Sequence, residues 1–230
     1  MKEAIASSVY FGVAVTIAGY AIGAALQKRF KFALLNPLLV SVVFVICVLL
    51  VFGIDYESYS LGAKYISYFL TPATVCLAIP LYKQLHLLKK YKAALTLGIL
   101  SGVLGSLVSI LALSVLFGLT HEQYVTLIPK SVTTAIGIGI SQELGGIESL
   151  TVAAIVLTGL LGNIFARSLC RLLRITDPVA QGVAIGTSAH ALGTAKALEM
   201  GEVEGAMSSL SIVISGLMTV VGASFFAMLL

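Results

Sequence analysis

Two short polar segments interrupt an otherwise apolar chain, and their side chains could bind an anion or carry a proton. The second segment supplies a histidine, a lysine and a glutamate in the stretch Ser188-Ala-His190-Ala-Leu-Gly193-Thr194-Ala-Lys196-Ala-Leu-Glu199-Met-Gly201. The first has the same spacing, because Thr134-Ala-Ile-Gly, five residues and Glu143-Leu-Gly match His190-Ala-Leu-Gly, five residues and Glu199-Met-Gly at an offset of 56 positions. We expect the functional site to be built from these paired segments.

Lys130, just before the first segment, and Lys196, inside the second, give the strongest functional signal. A charge at membrane depth costs at least about 2.5–3.5 kcal/mol, so a functional role is the default interpretation. Each lysine could attract an anionic substrate or pair with a glutamate, Glu143 or Glu199. The alternative is that each lies at the mouth of a hairpin and extends its ammonium to the lipid headgroups.

Hydroxyl side chains, Thr187 among them, cluster where the two segments should break. With exposed N–H groups at the start of a half-helix they could bind a carboxylate, although each could equally satisfy a local carbonyl. Together with the lysines, the candidate substrate-binding residues are Lys130, Ser131, Thr133, Thr134, Ser188, His190, Gly193, Thr194 and Lys196.

His190 is the first candidate for a proton carrier, because histidine changes its charge near neutral pH. Glu199 and Glu143, at equivalent positions of the two segments, are the other candidates. The alternative for His190 is a hydrogen-bonded side chain that only packs in the interior.

The composition indicates an integral membrane protein. Of the 230 residues, 59% are hydrophobic and 10% are charged, whereas a soluble domain has about 45–50% and about 25%. The net charge of +4 comes from cations in short loops between apolar runs, where they determine membrane topology. No nucleic-acid partner is therefore expected.

The residues offer little for an enzyme. Ser188 and His190 lie two positions apart, but no nucleophile elbow or third partner accompanies them. The histidines are scattered, the three cysteines lie inside apolar runs without metal-ligand spacing, and no phosphate-binding glycine loop is found. We expect no catalytic residue, no metal site and no cofactor.

Six apolar runs are expected to span a hydrocarbon core of about 30 Å, at residues 4–26, 32–54, 65–82, 93–119, 149–173 and 206–230. We expect the first to be a membrane helix and not a cleaved signal. Helix interruptions are predicted at Asn36, Pro37, Pro72, Thr74 and Pro129, because proline removes a backbone donor and clashes with the preceding turn. Such breaks must face protein or a water-filled cavity.

A small-residue helix precedes each polar segment. Gly102-Val-Leu-Gly105 matches Gly159-Leu-Leu-Gly162 at an offset of 57 positions. The predicted organisation is a scaffold of three helices (1–92), a first repeat unit (93–148), a second repeat unit (149–205) and a last helix (206–230).

The cationic loops at 27–31, 83–92 and 167–174 should all face the cytoplasm. They do so if segments 125–146 and 178–205 are re-entrant and enter from opposite sides of the membrane. The fold is then all-α and polytopic, with six transmembrane helices and two broken-helix segments in an inverted-topology repeat, an arrangement typical of secondary transporters. In the alternative, both segments span the bilayer and the arginines of loop 167–174 lie outside.

Four motifs give the chain a family resemblance: Asn36-Pro37-Leu-Leu-Val, Pro80-Leu-Tyr82-Lys-Gln84-Leu, Pro129-Lys130-Ser131-Val-Thr133-Thr134 and Gly186-Thr-Ser-Ala-His190-Ala-Leu-Gly193-Thr194-Ala-Lys-Ala. Over nearly its whole length the chain resembles the LrgB/CidB family of bacterial inner-membrane proteins, described as antiholin-like proteins or murein hydrolase exporters. One departure is Ala135, where the family usually has proline after the two threonines.

The resemblance implies two functions. In one, the protein is a secondary transporter of small monocarboxylates (pyruvate in bacterial members, glycolate and glycerate in plastid relatives), with a small LrgA/CidA-type membrane protein as its partner. In the other, it regulates murein hydrolase activity and lysis through that holin-like partner and has no substrate. The polar segments favour transport, and a channel is a third reading. A homo-oligomer is expected from the small-residue helix faces.

Overall fold

The computed structural model describes residues 9–30, 35–76 and 78–230, and in this part of the chain it contains helices and turns but no β-strand. The all-α prediction is confirmed to that extent. The helices are α1 (Val9–Phe30), α2 (Pro37–Phe52), α3 (Tyr56–Ser67), α4 (Leu70–Cys76), α5 (Ala78–Lys83), α6 (Leu85–Phe117), α7 (His121–Leu127), α8 (Thr134–Leu144), α9 (Glu148–Leu172), α10 (Pro178–Met200) and α11 (Glu202–Ala227).

Among the described residues, four helices are long and apolar enough to cross a bilayer: Tyr10–Phe30 within α1, and α6, α9 and α11. A shorter apolar helix, α2, has 16 residues. Much of their surface is exposed leucine, valine and phenylalanine, as at Leu116 and Leu217, which suits contact with lipid. The protein is a multi-pass membrane protein.

The chain divides into two compact units, one ending at Cys76 and the other extending from Leu77 to Leu230. In the first unit α1 packs against α2 and α3. Gly23 permits the approach to α2, because a Cβ there would lie 2.8 Å from the Cα of Pro37. Thr16 Oγ1 lies 2.8 Å from the hydroxyl of Tyr59 on α3.

Local chemistry accounts for where α2 and α4 begin. Asn36 caps α2, with its Oδ1 accepting from the Leu38 N–H at 2.9 Å, and Pro37 occupies the first helical position, where its missing N–H has no cost. The helical structure is interrupted by a turn at residues 68–69, just before the interruption predicted at Pro72 and Thr74. Pro72 and Thr74 lie inside α4, and Pro72 is in its first turn, where N–H groups lack a helical partner.

The second unit has its core between α6, α7 and α11, where Ile99, Tyr124 and Met207 are fully buried. The Tyr124 hydroxyl donates to the Phe226 carbonyl at 2.9 Å, which ties α7 to the end of α11. At the other end of α11, Glu202 forms a 3.1 Å salt bridge with Lys83 of α5.

Residues 121–144 form the first hairpin, in which α7 leads to a tip at 128–133 and α8 returns. A Cβ at Gly137 would lie 3.6 Å from the Pro129 carbonyl. Further from the tip, the Ile147 N–H donates to Thr126 Oγ1 at 2.8 Å. Residues that follow α8 therefore lie beside α7, so the two arms run antiparallel.

Residues 178–200 form the second hairpin, because α10 is reversed within its length. Ala189 (φ −131°, ψ 16°) and His190 (φ 41°, ψ −141°) leave the helical conformation. A Cβ at Gly193 would lie 3.3 Å from the Ile185 carbonyl, whereas eight residues of straight helix cover about 12 Å. We name the arms α10a (178–188) and α10b (191–200), and residues 187–190 are the second tip.

Helix α9 joins the two hairpins, so the first hairpin lies before its N-terminus and the second follows its C-terminus. Thr151, in the first turns of α9, bonds to Thr126 of the first hairpin at 2.9 Å. Asn163, further along, donates to the Leu192 carbonyl of the second hairpin at 2.7 Å. The hairpins thus extend inward from opposite ends of α9.

Candidate functional site

A cavity of about 730 Å³ lies between α6 and α10a and ends at the tip of the first hairpin. We call it the groove. One wall is the small-residue face of α6, which includes Gly98, Gly102 and Gly105, and the opposite wall is α10a. The groove is open at this wall because the glycines have no side chains to fill it. A Cβ at Gly105, for example, would have no neighbour within 4 Å.

The deep end of the groove holds an ammonium and two hydroxyls. Lys130 Nζ lies 3.1 Å from Ser131 Oγ and 3.3 Å from Ser106 Oγ, and the two hydroxyl oxygens are 3.2 Å apart. Among the described residues no carboxylate pairs with Lys130. A half-buried cation without a protein counter-ion, flanked by hydroxyls, can hold a carboxylate through charge-assisted hydrogen bonds.

The second tip meets α6 one turn from the first. Thr187 packs against Gly102, since a Cβ at Gly102 would lie 2.6 Å from Thr187 Cγ2. Ser188, next in sequence, lines the groove and donates to the Ala184 carbonyl at 2.7 Å. Because Gly102 and Ser106 are one helical turn apart, the two broken segments reach the groove within about 5.4 Å of each other along α6.

The shallow end of the groove is apolar up to its mouth. Ala94 and Val183 line it, and Tyr91 and Asp177 stand at the end furthest from Lys130, which we call the mouth. Asp177 caps α10, accepting from the Ala180 N–H at 2.9 Å. Its carboxylate is therefore held at the helix start by a local bond.

Three predicted site residues, Lys130, Ser131 and Ser188, line the groove, and two others from the first segment do not. Thr133 and Thr134 stand at the start of α8, where Thr133 is the N-cap position but makes no side-chain cap bond. Both are partly buried. They follow Ser131 closely in sequence, but they are not among the residues that line the groove.

His190 is buried on the side of the second tip that faces α9. Its Nε2 lies 2.9 Å from the Ile155 carbonyl oxygen, and a Cβ at Gly159 would lie 2.6 Å from the ring. Thr194 Oγ1 donates to the His190 carbonyl at 3.0 Å and lies 2.7 Å from Ser208 Oγ. These contacts hold the hairpin against its neighbours and are outside the groove lining.

The remaining predicted residues lie on α10b and α8. Lys196 forms a 2.7 Å salt bridge with Glu199, one turn away on the same arm. Gly193 packs in the hairpin interior, where a Cβ added to it would lie 3.1 Å from Ile185 Cγ2. Glu143, near the end of α8, is exposed. The described residues include no group of three His, Cys, Asp or Glu side chains that could hold a metal ion.

The LrgB-like family model matches residues 16–229, which include both hairpins and the whole groove. The chain belongs to the LrgB-like family. This confirms the resemblance seen in the four motifs.

Relatives match most of the chain. The antiholin-like protein LrgB of Bacillus mycoides is 39% identical over 213 residues, 92% of this chain and 93% of the relative. The holin-like protein CidB of Staphylococcus epidermidis is 37% identical over 207 residues, 90% of each chain. The Bacillus subtilis protein YxaC, which carries no functional name, is 39% identical over 199 residues, 86% of each. No solved structure matches the chain significantly.

Sequence reasoning missed the contribution of α6. Its serines, Ser101, Ser106 and Ser109, line the groove, although their spacing among glycines had suggested only close helix packing. The available signal was that hydroxyls and glycines share one helical face. Asp177 and Tyr91 at the mouth were also missed, because neither belongs to a polar segment.

Proposed function

We propose that this LrgB-like protein is a secondary transporter of small monocarboxylates, of the pyruvate, glycolate or glycerate type, and that the carboxylate binds at the deep end of the groove. The supporting observation is Lys130, whose ammonium contacts only Ser106 and Ser131 among described side chains. A cation at membrane depth is costly unless an anion accompanies it, and the substrate supplies that anion.

The proposed fold is an inverted-topology repeat with six spanning helices and two re-entrant segments, and the two hairpins support the re-entrant part of it. In each hairpin the two arms run antiparallel, so the chain leaves on the side where it entered, which is what re-entry requires. Tyr91, beside Lys90 and Lys92, shares the groove mouth with Asp177, which follows Arg174. Both cationic loops thus lie at one end of this unit, and the positive-inside rule assigns that end to the cytoplasm of a bacterial inner membrane.

Coupling to a proton is part of the proposal. His190 Nε2 joins the second tip to the Ile155 carbonyl. A carbonyl oxygen only accepts, so Nε2 donates in the neutral and in the charged ring, and protonation at Nδ1 would turn this contact into a stronger, charge-assisted hydrogen bond. Movement of the second tip would then change the groove wall formed by Thr187 and Ser188. Glu199 on α10b and Glu143 on α8 remain the alternative carriers.

A second candidate function is regulation of lysis through a small LrgA/CidA-type membrane partner, without a substrate. The names of the relatives, holin-like and antiholin-like, favour it. A regulator needs its partner surface and not the charge inside the groove. The two candidates therefore differ in what they require of Lys130.

The test is uptake of labelled pyruvate and glycolate into proteoliposomes, with and without an inward proton gradient. Hydrogen bonds to charged groups contribute about 1.5–3 kcal/mol, so Lys130→Gln should raise the half-saturating concentration by about 10- to 150-fold. Lys89→Gln, an exposed cation outside the groove, is the matched control and should leave uptake unchanged.

Three outcomes separate the candidates. Saturable uptake that Lys130→Gln weakens and Lys89→Gln does not supports the carrier. Uptake that appears only after the small partner is added makes the chain one part of a two-protein carrier. Absence of uptake in both conditions, with folded protein verified by circular dichroism, refutes transport of these acids and favours the regulator.

A further inference from the structure

The groove is polar at one end and apolar at the other. Its deep end carries Lys130 with the hydroxyls of Ser106 and Ser131, and its shallow half is lined by Ala94, Val183 and other small aliphatic side chains. No charged side chain lies between Lys130 and Asp177 among the lining residues. This polarity matches a ligand with one anionic group and an apolar tail.

The apolar half is long compared with a three-carbon acid. Ser106, which contacts Lys130, is 15 residues along α6 from Tyr91 at the mouth, a rise of about 22 Å. The volume of about 730 Å³ would hold more than twenty waters at about 30 Å³ each. Pyruvate, with six non-hydrogen atoms, occupies only the deep end and leaves the aliphatic wall uncovered.

We infer that the groove takes monocarboxylates with a straight or branched aliphatic tail of several carbons, with the carboxylate at Lys130 and the tail along α6 and α10a towards the mouth. This inference rests on the proposed carboxylate site. It extends the substrate class beyond three-carbon acids, because the tail covers Ala184 and Val183 and removes apolar surface from water.

Asp177 sets the other limit of this substrate class. Its carboxylate stands at the mouth, held by the Ala180 N–H, where the tail of a long ligand would end. A second negative charge on the ligand would either lie in the aliphatic half, without a partner, or meet Asp177. The groove should therefore reject long dicarboxylates while it accepts long monocarboxylates.

The test is competition against labelled pyruvate uptake in proteoliposomes by a series of 2-oxo acids, from 2-oxobutyrate to 2-oxooctanoate. Each added methylene should lower the inhibition constant by about two- to fourfold, because burial of a methylene is favourable and the groove is partly open. The dicarboxylate of matching length should inhibit less than the monocarboxylate.

Matched variants show whether the tail binds in the groove. Ala184→Leu narrows the α10a wall between Val183 and Thr187 and should abolish the gain with chain length, measured as the ratio of the inhibition constants of 2-oxobutyrate and 2-oxooctanoate. Ala93→Leu changes an exposed residue of α6 that does not line the groove, and should keep the gain. If Ala184→Leu does not fold, Gly98→Val narrows the α6 wall, where a Cβ would lie 3.4 Å from Val183 Cγ1, and should act in the same way.

The outcomes distinguish this inference from the proposed function. Pyruvate uptake with inhibition constants that stay level or rise with chain length refutes the extended substrate class and leaves the carrier intact. A gain that survives in both Ala184→Leu and Gly98→Val also refutes it, since the tails are then binding to lipid or elsewhere on the protein. No saturable uptake by the wild-type chain, with or without the small partner, refutes both.

Discussion

Gly186→Ala tests the contact that joins the second hairpin to α11. A Cβ at Gly186 would meet the carbonyl oxygen of Ser208 and would lie 2.8 Å from its Cα and 2.9 Å from its carbonyl carbon. These are backbone atoms of a helix, so no side-chain rotation can relieve the overlap. Gly182 makes the same kind of contact one turn earlier, with a Cβ position 2.5 Å from the Glu204 carbonyl oxygen.

The expected cost follows from two opposing effects. Overpacking in a filled interface costs about 1–3 kcal/mol, whereas alanine in place of glycine inside a helix gains about 1 kcal/mol. Gly139→Ala isolates the gain, because Gly139 lies in α8 and a Cβ there has no neighbour within 4 Å. The Gly186 variant should therefore be about 1–3 kcal/mol less stable than the Gly139 variant.

The assay is thermal unfolding in detergent micelles, followed by circular dichroism because the chain has no tryptophan. At about 2–4 °C per kcal/mol for a chain of this size, the two variants should differ in Tm by about 2–12 °C. Equal Tm values, or a higher Tm for Gly186→Ala, would show that α10a and α11 are not in close contact and would refute the packing of the second hairpin.

Two further predictions concern the hairpins. Gln181 and Met200 line the same cavity although 19 residues separate them. Cysteines placed at both positions, in a chain whose native cysteines have been replaced, should therefore be cross-linked by a short bis-maleimide. A straight helix would place the two positions about 28 Å apart and would give no cross-linked product. Thr151→Val removes a hydroxyl that lies 2.9 Å from the Thr126 carbonyl and 2.8 Å from Ser141 Oγ, so Tm should fall by the equivalent of about 1–3 kcal/mol, and an unchanged Tm would contradict the role of this buried cluster.

The comparison of Lys130 with Lys196 shows where sequence reasoning reached its limit. Both cations stand in or beside matching segments, and each was expected to bind substrate. The structure brings Lys130 to two hydroxyls in the groove, whereas Lys196 pairs with Glu199 on α10b. Spacing along the chain does not specify how each arm is rotated about its axis, and that rotation decides which side chains face the groove.

Properties that depend on local chemistry were determined by the sequence alone. Hydropathy over long runs predicts membrane helices, because lipid accepts apolar side chains wherever they lie on the helix surface. Asn36 and Pro37 specify a helix start through capping and a fixed φ angle, and the family motifs identify the LrgB-like family. These features need no knowledge of distant neighbours.

Only the tertiary structure decided what forms the site. Ser106 contacts Lys130, which is 24 positions away in sequence. Gly102 packs against Thr187, which is 85 positions away. The reversal at Ala189–His190 is held in part by the His190 contact with Ile155 of α9. The physical reason is that a polar or small side chain in a membrane protein can face either a cavity or a packed neighbour, and the packing of distant helices selects between them.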